Sequence, residues 1–177
     1  MNSIKPLMSK SELKKYIKTL PKAQLEVQIL ALYEKFKPVK TYYDFVFNPN
    51  EKKMAAEARA KIAQEYFPVS TRKPKLRRSV AQKIVSHFIT LEVDPNVIAD
   101  TLLFSIEIAQ IYTAEKPIKQ EAFYKGIFAA FQQTLLFTQT HGLFSDFKFR
   151  FNKIVQEAQV QTWPNESQFE QLMDRLD

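Results

Sequence analysis

Apolar positions recur every three or four residues almost from end to end of this chain, and strict two-residue alternation persists nowhere. Leu13, Tyr16, Ile17 and Leu20 form the first stripe. It follows Ser9-Lys-Ser-Glu12, a capping box in which Ser9 accepts from a first-turn N–H and Glu12 reaches back. Pro21 suits the first position of a second helix carrying Leu25, Ile29, Leu32, Tyr33 and Phe36. A short aromatic helix is predicted over 38–47, and Asn50 caps an alanine-rich one over 51–67. Pro74 opens a helix running to about Leu91, and Asp94-Pro95 starts one reaching Ala114. Beyond Lys116-Pro117 a long helix covers roughly 119–140 and closes at His141-Gly142. Another spans roughly 143–160, and Asn165 caps a last one with Phe169, Leu172, Met173 and Leu176. The pattern predicts an all-α fold of eight or nine helices, a single domain over residues 1–177. It would be an irregular bundle or a short stack of helical hairpins. The junctions at Pro21, Pro38 and Pro74 differ in interval and flanks, so no regular repeat is present.

Composition removes several chemistries. Of 177 residues only two are glycine, Gly126 and Gly142, too few and too far apart for a dinucleotide fingerprint or a phosphate-binding loop. With no cysteine there is no thiol nucleophile, zinc ribbon or disulfide. The two histidines, His87 and His141, form no metal-ligand motif, and no serine sits in a nucleophile elbow. His141 reads as a helix C-cap, where a cation favours the dipole. The expectation is therefore no catalytic residue, no metal and no cofactor. The first residues hold no apolar run of signal-peptide length, and Asp100 and Glu107 interrupt the most apolar stretch, 97–112. A soluble cytoplasmic protein without a membrane partner is expected.

Charge changes the picture most. Residues 1–90 carry 19 Lys/Arg against 7 Asp/Glu, whereas residues 91–177 carry 7 against 12. A basic half is the footprint of a polyanion partner, although lysines also simply solvate outer helix faces. The densest run is Arg72-Lys-Pro-Lys-Leu-Arg-Arg78. Placed in a first helical turn after Pro74, its cations oppose the helix dipole, and free N–H groups with Arg72, Lys75 and Arg78 would suit a phosphate or sulfate. On a helix starting there, Leu76, Val80, Ile84 and Phe88 share a face with Arg77, while Arg78 points away. Arg77 is therefore expected to need a buried partner, and Asp100 or Glu107, seven residues apart on one line of an apolar helix, is the expected one. Phe123, Tyr124, Phe128, Phe131, Phe137, Phe144, Phe147 and Phe151 read as core, and Phe149 falls off their common face.

Three stretches carry a resemblance. Ser11-Glu-Leu-Lys-Lys-Tyr-Ile-Lys-Thr-Leu20, then Tyr33-Glu-Lys-Phe-Lys-Pro-Val-Lys-Thr-Tyr-Tyr-Asp-Phe45 with Asn48-Pro49-Asn50-Glu51, then Pro74-Lys-Leu-Arg77, are similar to a family of small helical proteins of Bacteroidetes-type bacteria. The likeness covers most of the chain and is weakest after Gly142. That family has no assigned activity, so the resemblance implies a helical intracellular bacterial protein and lends no catalytic residue. The first two helices are also loosely similar to the paired short helices of SAP-type nucleic-acid modules. The resulting expectation is a non-enzymatic binding or scaffolding protein of the bacterial cytoplasm with a protein partner. The alternative is a nucleic-acid-binding protein that uses the basic first half and the 72–78 segment.

Overall fold

In the computed structural model, residues 8–70 and 72–175 are described, and among them every regular element is an α-helix. The helices are α1 (Lys10–Thr19), α2 (Lys22–Lys35), α3 (Lys37–Phe47), α4 (Glu51–Tyr66), α5 (Arg78–Thr90), α6 (Pro95–Glu115), α7 (Glu121–Thr140), α8 (Phe144–Val160) and α9 (Glu166–Asp174). The expected all-α class and helix number hold. The chain falls into two compact units, residues 1–49 and 50–177. Leu176, expected in the last stripe, lies outside the described residues, as do the residues before Met8.

The first unit holds α1 to α3. Its capping box forms as expected: the Ser9 hydroxyl accepts from the Glu12 N–H at 3.2 Å, and the Glu12 carboxylate accepts from the Ser9 N–H at 2.7 Å. Pro21 caps α2 and is not its first residue. The α2 and α3 helices face each other through Tyr33, whose hydroxyl donates to Asp44 at 2.8 Å and whose ring meets Tyr43 edge-on. No side chain on these three helices is buried. The stripe residues Leu13, Tyr16, Ile17, Ile29, Leu32 and Phe36 are exposed.

The second unit has a continuous core built around α6 and α7. Phe131 lies 5.4 Å from Phe151 and 5.0 Å from Phe169, ring centre to ring centre, in edge-to-face contacts, with Trp163 on the far side of Phe169. All three phenylalanines are fully buried. The α6 helix is long and apolar enough to cross a membrane, but just over half of that window is buried inside the unit, which makes it the core helix. Of its polar core positions, Gln110 bonds across to the Ile154 carbonyl of α8, whereas the Thr101 hydroxyl donates to the Val97 carbonyl of its own helix. Thr134 and Thr138 do the same in α7.

Three helices of this unit end alike. After α7, Gly142 has φ +69°, its N–H donates to the Gln139 carbonyl, and the Leu143 N–H donates to Thr138. The expected His141 cap is present, with Nδ1 at 2.8 Å from the Phe137 carbonyl and the ring stacked on Phe137. The same double bond closes α5 and α8, but with Glu92 and Thr162 at positive φ. Asn50 and Asp94 cap as expected. Asn165 does not: it stands before α9, but its amide donates to the Tyr124 carbonyl at 3.2 Å.

The largest departure is at Pro74. The α5 helix begins at Arg78, not Pro74, and residues 72–77 are non-helical. The N–H groups of Lys75 and Leu76 both donate to the Glu65 carbonyl at the end of α4, each at 3.0 Å. Leu76 adopts φ +54°, which a helix cannot contain. A tertiary anchor thus replaces the first helical turn that the proline allows.

Candidate functional site

The basic run 72–78 is the first place to look, and its geometry overturns the phosphate cradle expected there. The backbone donors at Lys75 and Leu76 are occupied by Glu65, and the first-turn dipole argument lapses because the helix starts later. Arg78 does not point to solvent. Its guanidinium lies against α7 and donates through Nη1 to the Gly126 carbonyl. A Cβ on residue 126 would fall about 2.0 Å from the Arg78 Cζ, so this contact is what the glycine accommodates. Arg72 and Lys75 remain exposed.

Arg77 likewise has a different partner. It forms a two-pronged pair with Glu65, Nε at 2.8 Å and Nη2 at 2.7 Å, and not with Asp100 or Glu107. The reason is the chain reversal at Leu76. Without a helix at 74–77 there is no shared face with Ile84 and Phe88, and the arginine folds back along α4. The Arg77 bond, the largest influence, holds the Glu65 carboxyl below its ordinary range against a smaller upward push from burial.

Asp100 and Glu107 do lie on one line of α6, and a different arginine spans them. Arg150 of α8 donates through Nε and Nη2 to Glu107 at 2.7 and 2.8 Å, and through Nη1 to Asp100 at 2.8 Å. Arg59 of α4 also holds Asp100, through Nη2 to Oδ1 at 2.6 Å and to Oδ2 at 2.7 Å, with its guanidinium 4.8 Å from the Phe104 ring centre. A planar fork with five donors bridges carboxylates two helical turns apart, which a point cation could not. Burial, the strongest influence on Asp100, pushes its carboxyl up, but the bonds and charges of Arg59 and Arg150 together outweigh it and hold it below its ordinary range. Among the described residues no group of three or more His, Asp or Glu could hold a metal.

Beside this network runs a groove of about 560 Å³ between α6 and α8. The two helices run in the same direction: Arg150 meets Asp100 and Glu107, the Gln110 amide donates to the Ile154 carbonyl at 2.8 Å, and Gln161 meets Thr113 at 2.7 Å. One wall carries Ile111, Ala114 and Glu115, the other Phe149, Lys153 and Glu157, at helical spacing. Phe149 is 79% exposed and Ile111 53%. The floor is rigid, because Gln161 is fixed by Trp163 as well as by Thr113 and Gln110. The sequence marked Phe149 as an outlier but offered no sign of the groove. Arg150, Arg59 and Glu65 were missed outright, since each partner lies 12 to 50 residues away.

The profile of a family of unknown function, DUF6155, matches residues 8–177. The chain belongs to this family. No curated protein matches the chain, and no solved structure does. The family lends fold-wide kinship over all nine helices and names no activity, so function has to be argued from the groove and its charges.

Proposed function

We propose that this DUF6155 member is a non-enzymatic binding protein of the bacterial cytoplasm and that its α6/α8 groove docks a helical segment of a partner protein. The observation that carries this reading is the exposure of Phe149 and Ile111 on opposite walls of a groove with a fixed floor. A rigid aromatic anchor with a small entropy cost is the usual centre of a protein interface. The groove's length suits helix-in-groove recognition, read by anchors at i, i+4 and i+7. Its polar groups do not form a reaction centre: the one guanidinium is saturated by two carboxylates, and neither histidine lines it.

The nucleic-acid alternative draws less support. Of the five cations in 72–78, Arg77 is paired with Glu65 and Arg78 is held by Gly126, which leaves Arg72, Lys73 and Lys75. Affinity capture with the wild type, Phe149→Asp and the surface control Val160→Asp, each with and without nuclease, tests the two readings. A protein recovered by the wild type and the control but lost with Phe149→Asp, nuclease notwithstanding, is the expected result. Binding that vanishes with nuclease and ignores Phe149 would transfer the function to the basic half.

A further inference from the structure

The chemistry of the groove specifies its occupant more closely, and this step rests on the docking role proposed above. We infer that the partner segment is a basic amphipathic helix, with apolar side chains over Phe149 and Ile111 and a Lys or Arg at the end near Glu115 and Glu157.

Three observations converge on that end. Because α6 and α8 are parallel, their C-termini lie at the same end of the groove, and each presents the negative pole of a helix dipole. Glu115 is the last residue of α6 and Glu157 stands in the last turn of α8, where a carboxylate is opposed by its own helix. Glu115 has no hydrogen bond or ion pair among the described residues, and Glu157 takes only a 3.4 Å contact from Gln161. Both carboxylates at this end are therefore open to a donor.

Among the described residues no cation of the groove forms an ion pair with Glu115 or Glu157. Arg150 is consumed by Asp100 and Glu107. Lys116, next after Glu115, has its ammonium over the Tyr112 ring at 5.9 Å. Lys153 stands between Phe149 and Glu157 and faces the middle of the occupant. The pattern along α8 is apolar, basic, acidic over about 12 Å, the rise of two helical turns. An occupant helix laid in it meets an aromatic ring first and a carboxylate pair last. An acidic helix would place its charges against two dipole ends and two carboxylates, so charge complementarity excludes it.

The test is selection from a displayed library of random peptides of about 12 residues, long enough for three turns, on the full-length protein, with Phe149→Asp as counter-target. Phe149 is 79% exposed, so its replacement leaves the fold intact, and a matching melting temperature checks this. The expected result is enrichment, dependent on Phe149, of peptides with helically spaced apolar residues and Lys or Arg toward one end. The best of these should bind the double variant Glu115→Lys/Glu157→Lys about tenfold or more weakly, which corresponds to at least one lost charge contact. Lys153→Glu should tighten them. Phe149-dependent enrichment of acidic or neutral peptides, or indifference to the charge reversal, would overturn the inference while leaving the docking role standing. No Phe149-dependent enrichment at all would remove both.

Discussion

The first unit and the second are written in the same sequence idiom and reach opposite states of burial. Both have capped amphipathic helices separated by prolines. The three helices of the first bury no side chain, whereas the second encloses Phe131, Phe151, Phe169, Leu103 and Ile106 completely. The difference is one of size and surround. The apolar stripes of α1 and α2, on the three helices of the first unit, meet solvent. In the second unit α4, α5, α7 and α8 all pack against α6, and small chains bury a smaller share of their surface. Amphipathic spacing therefore specifies which face is apolar, and the number of neighbours decides whether that face is a core or a surface.

Several measurements would break or sharpen this contrast. The largest effect is expected at the core: Phe131→Ala should destabilise by ~3–5 kcal/mol through lost contacts and a residual cavity. Leu30→Ala, on an exposed α2 site, should stay within ~0.5 kcal/mol. Chemical denaturation of both gives the comparison, and a Leu30 effect approaching that of Phe131 would mean the first unit has a core of its own. Hydrogen exchange followed by mass spectrometry should show the same order, with α1–α3 amides opening at far lower free energy than those of α6 and α7.

Next comes the charge network. Arg150→Ala strands Glu107 and leaves Asp100 to Arg59 alone in a half-buried site, and should cost ~3 kcal/mol, the low end for breaking a buried pair because the side chain is 23% exposed. The Asp100 carboxyl is depressed in the fold, so the stability it lends is present above its ordinary value and is lost as pH falls through the folded value. A denaturation midpoint followed from pH 6 downward should fall below about pH 4 in the wild type and somewhat less in Arg150→Met, where Arg59 still holds the carboxylate. Parallel curves would show that Asp100 owes its depression to Arg59 alone.

A smaller effect concerns Arg78 and Gly126. In the wild type, Gly126→Ala displaces the guanidinium and loses its bond to the carbonyl, which offsets the ~1 kcal/mol gained from helix propensity. In an Arg78→Ala background the same change should stabilise by the full ~1 kcal/mol. A double-mutant cycle that closes without coupling would mean the two residues do not meet in solution.

The smallest is at the helix ends of the second unit. Thr162, β-branched at φ +49° and without a side-chain bond, should gain ~1 kcal/mol on replacement by Gly, as Glu92 should at φ +58°. Thermal melts of Thr162→Gly and Glu92→Gly against the wild type measure it, and unchanged or lower midpoints would mean that the turn carries no strain.

How far the sequence reaches can be read from individual residues. Ser9, Asn50, Asp94 and His141-Gly142 were legible because a cap acts over two to five residues, and the short-range geometry leaves little choice. Leu76 was not legible. Pro74 permits a helix at that point, and only the Glu65 carbonyl, from another helix, turns the chain the other way. Asp100 and Glu107 were correctly seen as one acidic line needing a cation, but the identity of that cation depended on which helix lies alongside. The groove was illegible for the same reason: it exists only because α6 and α8 run in parallel, and no local pattern encodes the direction of a neighbour.

By itself, then, the sequence determined the all-α class, most of the helix breaks and caps, though not those at Pro74 and Asn165, and the uneven charge, because periodicity, proline and capping act within a few residues and need no tertiary partner. Which apolar stripes become core, which arginine meets which carboxylate, and where two helix ends and two glutamates come together were decided only in the tertiary structure. Those outcomes depend on contacts 12 to 50 residues apart along the chain, and long side chains such as Arg77, Arg78 and Arg150 reach whichever acceptor packing brings near.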